Sequence, residues 1–207
     1  MRHRSEVYLI AAFAVFALSG VTALRLMTVE PITYIDPGPT PVTTVDPQPA
    51  QVTPAPNDVG AWFRSMRQYC NPVEVETRLR WQPAPETPEG EMHKAACYAL
   101  AGRIDRARGV IEGLPADRRY QAAGVVFNAG HPAADAGDEI AAGPLMELVV
   151  EYWPNHYMAL YHAGAASYER GDYGLAEGYL LRFLEEYSVE DGWRSSAQKM
   201  LAAMEAM

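Results

Sequence analysis

The sequence predicts an all-α fold: stacked antiparallel helix pairs with a C-terminal capping helix, behind one N-terminal transmembrane helix and an extended Pro-rich linker. Three observations predict it. Residues 7–24, VYLIAAFAVFALSGVTAL, carry no charge. Eight of the sixteen prolines crowd into residues 31–56. The rest of the chain is rich in Ala, poor in β-branched runs, and has no hairpin dipeptide set between alternating strands.

The apolar stretch comes first in the chain. A helix of 18 residues rises ~27 Å, close to the ~30 Å hydrocarbon core of a bilayer. Arg2, His3 and Arg4 precede it; Arg25 follows it, and the next basic residue is Arg64. The positive-inside rule therefore puts residues 1–6 in the cytoplasm, spans the membrane with residues 7–27 and exports the remainder. For a bacterial inner membrane that outside is the periplasm. A basic start, an apolar core and the small-residue end Val21-Thr22-Ala23 also fit a cleaved secretory signal. A retained anchor is the reading taken forward.

Residues 28–56 form the tether. Each proline removes a backbone donor and fixes φ, which excludes both a helix and an inner strand. Extended polyproline II geometry lets residues 31–56 reach roughly 80 Å. Apolar and β-branched residues, Tyr34 and Ile35 among them, exceed what a passive spacer needs. They allow a strand laid along a partner, with a passive spacer as the competing reading.

Residues 57–207 are long enough for one domain with its own core. Residues 1–56 hold three basic and four acidic residues; the remaining chain holds 14 basic against 22 acidic, a net charge of −8. That disfavours nucleic acid and anionic lipid as partners. Asp58 caps a helix to about Tyr69, and a short helix covers Val73 to Trp81. Thr87-Pro88 places an N-cap before proline at the first helical position, opening a helix from Glu89 to Ala101. Ile104–Glu112, Arg118–Asn128, Pro144–Tyr152, Asn155–Glu169, Tyr173–Tyr187 and Glu190–Glu205 follow as helices. Pro132 and Pro144 are expected to interrupt theirs.

A repeat emerges when the turns are aligned. A small residue is followed by Gly seven later and Ala five after that: Ala95, Gly102, Ala107; Gly130, Gly137, Ala142; Gly164, Gly171, Ala176. The spacing between copies is 35, then 34 residues. The first position lets two helices approach, the Gly turns the chain at positive φ, and the Ala sits at the crossing. Leu160, Tyr173, Leu180 and Phe183 complete the third copy, with Pro154 ahead of it. Over residues 88–190 the pattern resembles the tetratricopeptide repeat. The resemblance implies that the first helix of each pair lines a concave, peptide-holding surface. Met158, Tyr161, Ala165 and Tyr168 share one face of such a helix, so they are implied partner contacts, with core packing as the competing reading. Residues 190–205 would be the closing helix.

Chemistry-bearing motifs are sparse. Cys70 and Cys97 are the two cysteines. In an oxidising exported compartment they read as one disulfide, with two buried thiols as the alternative. Their spacing matches neither a C-x-x-C redox pair nor a zinc set. His3, His93, His131, His156 and His162 form no H-E-x-x-H set and read as surface or core histidines. No phosphate-binding glycine loop and no nucleophile elbow is present.

These readings predict no enzyme, no metal and no cofactor. They predict a non-catalytic accessory or scaffold subunit of a bacterial inner-membrane complex, binding partner subunits through anchor, tether and helical domain. Photosynthetic reaction-centre/antenna or respiratory assemblies are favoured on abundance, not on any residue. The alternatives are a transient periplasmic assembly or maturation adaptor holding client peptides in the groove, and an enzyme of unrecognised type.

Overall fold

The computed structural model describes residues 58–207. The segments expected to be cytoplasmic (1–6), a membrane anchor (7–27) and a tether (28–56, with Tyr34 and Ile35) lie outside the described residues. Those described form helices and turns, with no strand among them. The helices are α1 (Val59–Met66), α2 (Val75–Trp81), α3 (Pro88–Leu100), α4 (Ile104–Glu112), α5 (Ala116–Asp135), α6 (Glu139–Tyr152), α7 (Tyr157–Arg170), α8 (Tyr173–Glu186) and α9 (Gly192–Glu205). A 3-10 turn, Arg67–Tyr69, prolongs α1. None of these helices is long and apolar enough to cross a membrane.

Side chains start most of them. Asp58 Oδ1 accepts the Ala61 N–H at 3.0 Å to open α1, and Thr87 Oγ1 accepts that of Gly90 at 3.0 Å to open α3. Asp138 serves α6 in the same way, and Asp191 takes two N–H groups at the start of α9. Each bond satisfies a donor that the first helical turn cannot.

Six of the helices form three hairpins, α3/α4, α5/α6 and α7/α8, joined by one kind of turn. Gly102, Gly137 and Gly171 have φ of 68°, 84° and 81°, the positive values among the described residues. In each turn the glycine N–H bonds three residues back, to Ala99, Ala134 or Tyr168. The next N–H bonds five back, to Tyr98, Ala133 or Ser167, at 2.9 to 3.0 Å. This closes the orphan carbonyls of the preceding helix. The six small residues flanking these turns, Ala95, Gly130, Gly164, Ala107, Ala142 and Ala176, are all buried.

Packing is antiparallel where contacts fix it. Gly130 abuts Leu145 while Gly124 faces Trp153; Tyr161 meets Phe183 while Tyr168 meets Tyr173. A core of Ala, Val, Leu and Met with Phe183 runs through the three hairpins and takes in Ala197 of α9. A smaller core under α1 and α2 holds Trp62, Met66, Val75 and Leu79. Cys70 and Cys97 lie at disulfide-bonding distance inside it, with Cα atoms 4.9 Å apart.

Neither proline interrupts its helix, which corrects the expectation for the middle pair. α5 continues through Pro132 and α6 through Pro144. The carbonyls they leave without an N–H partner belong to Asn128 and Ile140, both exposed, where water is free to replace the lost bond. Burial of Ala129, Gly130, Ala134, Ala142 and Leu145 around them outweighs the propensity cost.

Candidate functional site

α5, α7 and the loop between α6 and α7 bring three histidines together. His131 comes from the last turns of α5, His156 from the N-cap of α7, and His162 from the middle of α7. Phe127 stacks on His131 at 4.6 Å and lies 4.2 Å from His156, and the His131 and His162 rings stand edge to face at 5.2 Å. Trp193 of α9 covers His162 from the far side at 5.4 Å.

Each ring has its own electrostatic situation. The His162 side chain is 0% exposed, and its Nδ1 lies 3.0 Å from both oxygens of Glu139 at the start of α6. His131 Nδ1 lies 3.4 Å from Asp135, one helical turn on. The Nε2 atoms of His131 and His162 are both buried without a hydrogen-bond partner. Burial holds His156 below the ordinary histidine value, with charge at His131 acting in the same direction. Its neutral ring accepts the Ala159 N–H at 3.2 Å, capping α7.

Outward from His156 an aromatic row crosses the hairpins. Trp153 meets His156 at 4.5 Å and Tyr120 at 5.4 Å, both edge-on. On the other side Tyr157 stacks on Tyr187 at 5.0 Å. Tyr120 is 50% and Tyr157 41% exposed, so the row presents aromatic surface to solvent.

The four residues implied as partner contacts separate here. Tyr161 packs edge-on against Phe183 and Trp193 and is buried, as is Ala165. Met158 and Tyr168 are half-buried, Tyr168 against exposed Tyr173. Helix α9 supplies Trp193, which covers the Tyr161 ring.

A surface depression of about 540 Å³ runs between α4, α6 and α8. Its charged lining is paired internally: Arg108 bonds Glu151 at 3.0 Å, and Arg182 bonds the Pro154 carbonyl at 2.6 Å. No nucleophile with an adjacent base stands among these groups.

Sequence reading placed the histidines singly. The signal that joins them was present as His131 and Asp135 at i, i+4 on one helix, which aligns both on one face. His162 and Glu139, 23 residues apart, are brought in by packing alone. Comparison of the chain with protein-family models, with curated proteins and with solved structures found no match to any of them.

Proposed function

We propose that the chain is a non-catalytic accessory subunit of a bacterial inner-membrane complex. Residues 7–27 anchor it, residues 28–56 lie along a partner through residues such as Tyr34 and Ile35, and the helical part is a tetratricopeptide-like stack that binds protein. Three hairpins with one turn geometry, at a spacing of 35 and 34 residues, support the stacked-repeat reading.

The single observation that carries protein binding is the aromatic row Tyr120, Trp153, Tyr157 and Tyr187. Exposed Tyr120 and Tyr157, backed by half-buried Trp153 and Tyr187, give contact area at low entropy cost. The surrounding domain carries a net charge of −8. The partner is therefore an exported protein segment of basic or neutral charge that presents apolar side chains to this row. Met158, next to Tyr157, extends the contact at its edge; Tyr161 supports it from within through Phe183, while Tyr168 lies with Tyr173 at the other end of the α7/α8 hairpin.

Extraction in mild detergent followed by purification on this chain tests the reading. The expected result is one set of partner proteins at a ratio constant between preparations, with Tyr120→Ala plus Tyr157→Ala lowering the recovered partner at least tenfold. A chain that elutes alone, or a ratio that drifts between preparations, contradicts a permanent subunit.

A further inference from the structure

We propose that His131, Asp135 and His162 bind one divalent transition-metal ion of the Zn²⁺ class, tying the second helix hairpin to the third. One ligand atom from each of these residues lies within 4.8 Å of the others. Tetrahedral ligands at about 2.1 Å from an ion stand about 3.4 Å apart, so ion binding would draw the widest pair together by up to about 1.4 Å.

The second observation is the unpaired nitrogens. His162 is 0% exposed with Nε2 unpartnered, and Nε2 of His131 is buried without a partner as well. A buried polar atom left unbonded is costly, and native proteins rarely keep two side by side. Glu139 explains how His162 is readied. Its carboxylate accepts the Nδ1–H at 3.0 Å, which fixes the tautomer that carries a lone pair on Nε2. Metal-bound histidines are characteristically held this way by an outer carboxylate.

Chemistry selects the class of ion. Two imidazoles and one carboxylate suit Zn²⁺, Cu²⁺ or Ni²⁺ rather than Mg²⁺ or Ca²⁺, which take oxygen ligands. Metal ligation takes imidazole in its neutral form, so in the bound site the carboxylates of Asp135 and Glu139 supply the negative charge that a dication neutralises. Phe127 and Trp193 wall the group with aromatic surface, which lowers the local dielectric and strengthens ion binding. His131 and Asp135 are 24% and 56% exposed, so an ion enters from their side. Three protein ligands leave a fourth position for water.

The test uses the full-length chain purified in detergent without a histidine tag, stripped with a chelator and titrated with Zn²⁺ against a colorimetric competitor. The expected result is one equivalent bound, with Tm raised about 5 °C or more at ~100-fold excess over Kd. His131→Gln and Asp135→Asn each weaken binding at least tenfold, and His93→Gln leaves it unchanged. Co²⁺ in place of zinc should give the visible absorption of a low-coordinate site, lost in Asp135→Asn. Far-UV circular dichroism confirms that each variant stays helical; Asp135 is exposed, so its variant decides if His131→Gln unfolds. Less than one equivalent bound, an unmoved Tm, or binding by both site variants equal to that of the unaltered chain overturns the proposal. None of these readouts depends on the partner-binding row.

Discussion

A methyl group at position 164 has no room. A Cβ there would stand 2.7 Å from Cδ2 and Cγ of Leu180, inside the closest approach of the α7/α8 hairpin. Gly164→Ala should therefore cost about 1–3 kcal/mol in urea unfolding. Combined with Leu180→Ala it should cost clearly less than the sum of the two single changes, because both act on one contact. Additive effects would mean that the hairpin tolerates a wider separation than the structure shows. At the same scale, Tyr187 donates a hydrogen bond to Asp191. That bond, with the Arg194 and Trp193 N–H groups, holds the Asp191 carboxyl below its ordinary value. It also pushes the Tyr187 hydroxyl up to about 12, with burial and the Asp191 charge adding to the shift. A depressed carboxyl contributes stability above its unfolded value near 3.8 and loses it as pH falls through the lower folded value. A raised tyrosine contributes fully below its unfolded value near 10 and loses that contribution as pH rises through about 12. Tyr187→Phe should flatten thermal stability against pH at both limbs while leaving the neutral plateau shape intact. An unchanged acid limb would show that the bond carries no linkage.

Helix bounds were legible outside the middle pair, where the expected 118–128 and 144–152 run as Ala116–Asp135 and Glu139–Tyr152. Asp58 and Thr87-Pro88 mark their helices by local chemistry, and Ile104–Glu112 has the same bounds in sequence and structure. Pro132 and Pro144 misled because a local rule met packing from outside the segment: the helix faces that keep Gly130 and Leu145 buried hold the backbone helical through both rings. Pro132→Ala should restore an N–H to the exposed Asn128 carbonyl and raise stability by about 1 kcal/mol or more, read from the urea midpoint. A loss of stability would mean that Pro132 does more than sit on the solvent side. The cysteines show the opposite relation. Spacing left bonded and free thiols both open, and the fold sets them at bonding distance, joining the segment after α1 to α3. Closing a separation of 27 residues is worth about 3 kcal/mol in the chain-entropy model. Cys70→Ser with Cys97→Ser should lose about that much, as should reduction of the unaltered chain, and a reductant that costs the variant nothing further identifies the bond as the cause.

Over the described chain, the all-helical character and the turn spacing were legible because they depend on residues near one another in sequence. Gly102, Gly137 and Gly171 each need only a local backbone sign. The histidine group was not legible, because Glu139 and His162 meet only after α6 crosses α7. The exposure of the expected contact residues was not legible either. Period alone put Tyr161 and Tyr168 on one face, but the arrival of Trp193 from α9 buries the first and leaves the second at the rim. The account as a whole says that this surface serves another protein rather than a reaction. A photoreactive amino acid placed at Tyr157 and irradiated in intact membranes tests that most directly. The account predicts one dominant adduct of constant mass, absent when the same probe replaces Glu169. Adducts at Tyr157 no more frequent or defined than those at Glu169 would contradict it.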